Sequence, residues 1–155
     1  MKQLEKGDKA PDLTLVGTDL QPIKLTSYTG KNLVLHFFPL AFTSVCTAQM
    51  CTARDEENDY SQLNAEVVGV SVDSPFVLQK FSDENNLNFP LASDFNRETC
   101  KAYGVLFTDD FMGLSHFAKR AAFVIDGEGV IQYAEITDGK SLPDFNQIKE
   151  TLSGL

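Results

Sequence analysis

Residues 33–46 constrain this chain more than any other stretch. Leu33, Val34, Leu35, Phe37 and Phe38 form an apolar run interrupted only by His36 and stopped by Pro39. A run with no polar alternation suits a β-strand buried on both faces, and such a strand needs a covering layer on each side. A short loop with Thr43 and Ser44 follows, and then a thiol, Cys46. Strand, loop and helix in that order put Cys46 in a first helical turn. Unpaired backbone N–H groups and the positive end of the helix dipole lie there, and both favour charge on sulfur. A second thiol, Cys51, sits five residues on. The stretch 34–55 therefore reads as a redox active site, with the rest of the chain as its support.

The remaining segments fit an α/β domain. Residues 10–25 read as a hairpin or a pair of short strands, from the alternation at Asp12-Leu13-Thr14-Leu15 and at Ile23 and Leu25 around the turn Gly17-Thr18-Asp19. Residues 44–63 read as one helix with a thin apolar face of Met50, Ala53, Tyr60 and Leu63. Residues 67–72 are a second buried strand. Ser74-Pro75 is an N-cap with proline at the first helical position, opening a helix over 75–85 that presents Phe76, Val77 and Phe81. Residues 87–94 hold a short extended piece around Phe89-Pro90-Leu91, and residues 98–103 a short helix ended by Gly104. Residues 105–119 read as loop. Strands over 121–126 and 130–136 flank the hairpin signal Gly127-Glu128-Gly129, and 143–155 form a closing helix with Phe145, Ile148, Leu152 and Leu155 on one stripe. The expected architecture is a single domain over 1–155, with an N-terminal β-hairpin and a central mixed sheet flanked by helices.

Composition excludes several function classes. A net charge of −9 argues against nucleic acid and anionic membrane surfaces as partners. No apolar run approaches the roughly 20 residues needed to span a bilayer. Residues 1–9 are polar, without a signal-peptide apolar region, so the expected location is the cytoplasm, where thiols are kept reduced. Three cysteines, all in the middle of the chain, look like reactive or buried thiols rather than a disulfide framework.

A thiol becomes a strong nucleophile as thiolate, and its reference pKa of about 8.5 leaves the helix N-terminus or a cation to do the lowering. Arg54, eight residues along the helix from Cys46, would lie about 12 Å away, too far for direct contact. Arg120 opens a predicted strand and is the cation the fold could bring over the site. Thr43, three residues before the thiol, has a hydroxyl able to donate and accept.

Pro39, Thr43 and Cys46 spell P-x-x-x-T-x-x-C after an apolar strand, and Arg120 opens Arg-Ala-Ala-Phe-Val-Ile-Asp. These motifs, with Ala10-Pro11-Asp12-Leu13, Phe89-Pro90-Leu91-Ala92-Ser93-Asp94, Ala102-Tyr103-Gly104-Val105 and Phe123-Val124-Ile125-Asp126, resemble the peroxiredoxins of the AhpC/TSA superfamily over nearly the whole chain. The loop Phe-Phe-Pro-Leu-Ala-Phe-Thr resembles the AhpE type. Cys-x-x-x-x-Cys followed by Arg54-Asp55 resembles the bacterioferritin-comigratory, or PrxQ, group. The resemblance implies a thioredoxin-like fold and a peroxidase with no metal and no organic cofactor. It implies that Cys46 is the peroxidatic thiolate, that Thr43 hydrogen-bonds thiolate and peroxide, and that Pro39 shields the site from water. Arg120 would stabilise the thiolate and the developing charge on the leaving oxygen, and the N–H groups of Val45 and Cys46 would help hold the peroxide. Gln49 stands where relatives often carry Glu.

Cys51 matches the resolving cysteine of the PrxQ pattern, implying an intramolecular disulfide with the Cys46 sulfenic acid. Five residues of α-helix leave the two Cα atoms roughly 8–9 Å apart and on different faces, whereas a disulfide wants less than about 7 Å. The first helical turns would have to unwind for the bond to close. Cys100, the competing candidate for resolver, has no matching spacing and reads as packing; His36 reads as a structural histidine within its strand, Arg54–Asp55 as an exposed helix pair worth little, and Phe42 as core or as lining a surface near the thiol. The implied partners are a peroxide, thioredoxin or glutaredoxin as electron donor, and for the chain itself a monomer or homodimer. Competing readings are a one-cysteine peroxidase using an external thiol, a thiol–disulfide oxidoreductase, which would ordinarily use C-x-x-C, and a soft-metal carrier using two thiols and a histidine.

Overall fold

The computed structural model describes residues 2–155. Its centre is β3 (Asn32–Phe37), preceded by the hairpin β1 (Thr14–Gly17) and β2 (Pro22–Lys24) and a single 3-10 turn at Leu25–Tyr28. The order continues α1 (Ser44–Asp55), α2 (Glu57–Gln62), β4 (Ala65–Ser71), α3 (Pro75–Glu84), β5 (Leu91–Ser93) and α4 (Glu98–Tyr103). It ends with β6 (Leu106–Phe107), β7 (Phe117–Ala118), β8 (Ala121–Ile125), β9 (Ile131–Ile136) and α5 (Phe145–Ser153).

Seven strands form one mixed sheet in the order β2-β1-β5-β4-β3-β8-β9. β3, β4 and β5 are parallel, as their helical crossovers require, while β1 and β8 run antiparallel to their neighbours. Side chains of β3 alternate between faces. Leu33, Leu35 and Phe37 join one apolar cluster with Cys100 and Tyr103 of α4. Val34 and Phe38 join the other, with Cys46 and Met50 of α1, Leu78 and Phe81 of α3, and Phe145, Ile148 and Leu152 of α5. The two-faced burial expected of the apolar run is therefore observed, and the run carries His36 onto the α1 face.

Local signals explain the element ends. Ser74 Oγ accepts from Val77 N at 3.2 Å, capping α3 ahead of Pro75. Gly104 ends α4 with φ of 71°, a left-handed conformation that costs glycine nothing. Gly69 of β4 lies under α1, where an added Cβ would stand 2.9 Å from Met50 Sδ and 2.7 Å from Leu91 Cδ2, so a larger residue there would push both side-chain ends aside.

Four expectations need correction. Residues 105–119 contain the two-stranded sheet of β6 and β7, whose Phe107 and Phe117 rings stack at 4.9 Å. Strands of two residues joined by a long connection carry no alternation to read. The helix expected over 44–63 is two helices, broken at Glu56, whose carboxylate is drawn to Lys149 of α5 at 3.1 Å. On α3, Leu78 and Phe81 face the core, while Phe76 and Val77 are exposed. Leu155 falls beyond α5 and is exposed.

Candidate active site

Cys46 is the third residue of α1 and its side chain is completely buried. Thr43 is the N-cap residue, in extended conformation, yet its side chain caps nothing: Oγ1 donates instead to Leu40 O at 2.7 Å. The first bond of the helix is Thr47 N to Thr43 O at 2.9 Å. The first-turn amides of Ser44, Val45 and Cys46 thus have no helical acceptor and no capping side chain, and they form a cluster of donors beside the sulfur.

The loop before the helix is pinned from several sides. Pro39 closes β3 and is half-buried. Ala41 N donates to Asp73 Oδ2 at 2.7 Å, and Ser71 Oγ holds the same carboxylate oxygen at 2.8 Å. Phe42 has φ of 70°, a region strained for a bulky residue, and its half-exposed ring meets Phe81 edge-on at 5.2 Å. These ties fix the turn that presents Thr43 and Cys46.

Arg120 immediately precedes β8, and strand alternation puts it on the same face as Ala122 and Val124, the face that α1 covers. It is 4% exposed. Its Nη1 donates to Cys46 Sγ at 3.2 Å and to Gln49 Oε1 at 3.0 Å, and its Nε donates to Gly139 O at 3.1 Å. An unpaired buried guanidinium would cost several kcal/mol, so these acceptors are what make the position tenable. Arg54 does not reach the thiol, as expected, but it is more than a surface pair. Besides Asp55, it donates from Nη1 to Asn85 O at 2.6 Å, at the end of α3.

Cys51 is partly buried on a different side of α1, its Sγ 3.7 Å from Asn85 Oδ1. Both thiols are free, and both stand within one intact helix. Cys100 is buried on the opposite face of the sheet, in the cluster with Tyr103. Burial, and next the Asp94 carboxylate, push its thiol far above the usual cysteine range. His36 is also fully buried. Its Nδ1 lies 3.0 Å from Gln49 Nε2, and burial lowers its pKa to about 4.

Pro39, Thr43, Val45, Cys46 and Arg120 are thus brought together, and Cys51 and Cys100 are held apart from them. Gly139 and the pair Gln49–His36 complete the surroundings. Two polar residues at buried positions of β3 and α1 were the available sign of that pair, since buried polar groups need partners.

Residues 6–134 match the AhpC/TSA family. The chain belongs to that family. A putative peroxiredoxin, sll0755, of Synechocystis sp. is 39% identical over an alignment of 162 residues covering 96% of this AhpC/TSA chain and 78% of that protein. Peroxiredoxin Bcp of Escherichia coli K12 is 34% identical over 134 residues, 86% of each chain. Among solved structures, peroxidoxin BcpB of Mycobacterium tuberculosis superposes with a TM-score of 0.88 at 26% identity, covering 99% of both chains. A peroxiredoxin-like protein of Aquifex aeolicus gives 0.89 at 27% identity, covering 99% of this chain and 89% of that one. The thioredoxin-like, peroxiredoxin-type α/β fold expected from the motifs is therefore the fold of this family member, and the Bcp-like resemblance read from Cys46, Cys51, Arg54 and Asp55 agrees with these relatives.

Proposed function

We propose that this AhpC/TSA protein, a single domain over 1–155, is a thiol-dependent peroxidase acting through Cys46. The observation that carries the reading is the Cys46 sulfur at the uncapped start of α1 with the Arg120 guanidinium 3.2 Å away. Two kinds of fixed donor, amide and guanidinium, converge on one nucleophile.

The Cys46 thiolate attacks the nearer peroxide oxygen. A sulfur–oxygen bond forms, the O–O bond breaks, and the leaving oxygen departs as alkoxide or hydroxide and takes a proton. Arg120 and the N–H groups of Val45 and Cys46 stabilise the charge that builds on sulfur and on the departing oxygen; such preorganised donors act without reorganising at the moment of reaction. Thr43, whose Oγ1 proton is given to Leu40 O, keeps its oxygen lone pairs for an incoming peroxide O–H. Pro39 limits water at the strand end. The product is a sulfenic acid at Cys46.

Cys51 resolves it. Its thiolate attacks the sulfenic sulfur, the disulfide forms as the S–O bond breaks, and the departing hydroxide takes a proton to leave as water. In the intact helix the two Cα atoms are roughly 8–9 Å apart, so α1 opens to close the bond. Arg54 and Asn85 hold the C-terminal half of α1 to α3, with Asn88 Nδ2 adding a bond to Arg54 O at 3.3 Å. The segment that unwinds is accordingly the first half, from Ser44 towards Gln49. A thioredoxin-type dithiol, thioredoxin or glutaredoxin, returns both thiols to the reduced state in the cytoplasm. Among the described residues no helix is long and apolar enough to cross a membrane.

Stopped-flow reaction with hydrogen peroxide, followed by mass spectrometry, tests the scheme. Wild type should give an intramolecular disulfide, Cys51→Ser a persisting sulfenic acid, and Cys46→Ser no reaction. A disulfide surviving in Cys51→Ser would assign resolution to Cys100. Turnover with thioredoxin against glutaredoxin identifies the donor.

A further inference from the structure

His36 is a puzzling occupant of its position. It lies in the middle of β3, wholly buried, where Leu35 and Phe37 on either side are apolar. Its ring stacks on Phe145 at 5.3 Å, a contact a phenylalanine would also make. Its Nε2 has no hydrogen-bond partner among the described residues, and an unsatisfied buried polar atom costs about 1–3 kcal/mol. Packing alone does not account for histidine there.

The contacts of Gln49 do. Gln49 Nε2 is 3.3 Å from Phe37 O and 3.0 Å from His36 Nδ1, and Gln49 Oε1 is 3.0 Å from Arg120 Nη1. A backbone carbonyl only accepts, and a guanidinium only donates. The amide therefore has one orientation, nitrogen towards Phe37 and His36, oxygen towards Arg120. In that orientation His36 Nδ1 must accept, so the neutral ring carries its proton on Nε2.

We propose that His36 is a positioning residue for the reactive thiol: its Nδ1 fixes the Gln49 amide, and Gln49 Oε1 fixes the Arg120 guanidinium against Cys46. The proposal rests on the reading of Cys46 as the peroxidatic cysteine. The relay runs from the strand to the helix to the next strand, His36 to Gln49 to Arg120 to Cys46, through three contacts of 3.0 to 3.2 Å. Without the His36 acceptor, the amide keeps only the longer bond to Phe37 O and can turn its nitrogen towards Arg120. The guanidinium would then lose an acceptor and move. Burial keeps His36 neutral well below neutral pH, so the acceptor is present throughout the working range.

Two variants separate this role from packing. His36→Phe keeps the ring against Phe145 and removes the acceptor. His36→Asn sacrifices the ring but puts Oδ1 near the place of Nδ1. His36→Phe should lower the second-order rate constant for hydrogen peroxide about tenfold and move the pH of half-maximal reactivity up by about one unit, whereas His36→Asn, although lower in Tm, should react within about twofold of wild type. Nitrogen-15 spectra of the wild-type imidazole, which need no peroxide, should show the proton on Nε2. A proton on Nδ1, a His36→Phe protein with the wild-type rate and pH midpoint, or activities that simply follow the Tm of the two variants would each overturn the relay. A wild type inert towards peroxide would overturn the peroxidase reading itself, and the proposal with it.

Discussion

The two faces of the sheet each bury a cysteine, and the two sites begin alike. Cys46 is the third residue of α1 and Cys100 the third residue of α4; both side chains are fully buried. The helix start is therefore not what distinguishes them. At α4 the Asp94 carboxylate takes the first-turn amides, accepting from Thr99 N at 3.0 Å and Cys100 N at 2.7 Å. It then adds a negative charge beside the sulfur, and the Cys100 thiol is held far above its usual range by burial and by that carboxylate. At α1 the N-cap Thr43 turns its hydroxyl away, the amides stay free, and Arg120 supplies positive charge. Two residues, one carboxylate and one guanidinium, thus set apart the surroundings of the two thiols.

The comparison breaks most visibly if the cysteines are exchanged for serine in turn. Cys46→Ser should lose peroxide reduction by more than about a thousandfold, and Cys100→Ser should stay within about twofold of wild type in a coupled turnover assay. The charges come next. Arg120→Met should slow the first reaction with hydrogen peroxide about a hundredfold, as loss of a preorganised donor commonly does, while Asp94→Asn should leave it unchanged by stopped flow.

A smaller effect reads the Cys100 shift directly. A folded-state value raised above the unfolded one stabilises the fold fully below the unfolded thiol pKa, about 8.5, and that stability is lost as pH rises above it. Urea titrations should show wild type losing about 2 kcal/mol more than Cys100→Ser between pH 8.5 and 10.5. The least effect concerns motion: α1 opens in the proposed cycle and α4 has no reason to. Arg54→Ala, which frees α1 from Asn85, should speed closure of the Cys46–Cys51 disulfide a few-fold and cost about 1 kcal/mol or less in stability. Quenched-flow mass spectrometry would measure the first effect.

How much of this was legible depended on whether a feature was local. The apolar run before Pro39, the Ser74-Pro75 helix start, the Gly104 stop and the hairpin around Gly127 and Gly129 are contiguous, and each appears where the sequence pattern puts it. Pro39, Thr43 and Cys46 share one loop and could be read together. Arg120 could be named as a candidate cation at a predicted strand start, but its role at Cys46 came through resemblance, because which strand borders β3 is a matter of topology. Gln49 and His36 stand on different elements, 13 residues apart, and no periodicity encodes their contact. β6 and β7 were missed because strands of two residues have no period, and the break at Glu56 because no glycine, proline or capping residue marks it in the sequence.

The Gly139 carbonyl that holds Arg120 Nε has a consequence for the order of events during synthesis. Cys46 is made early, the guanidinium that faces it 74 residues later, and the carbonyl that steadies the guanidinium later still. A growing chain that has not yet reached Arg120 and Gly139 therefore lacks the guanidinium that faces the Cys46 sulfur and the carbonyl that steadies it. In the proposed scheme, full reactivity towards peroxide waits for residues 120–139 to be made and folded against α1.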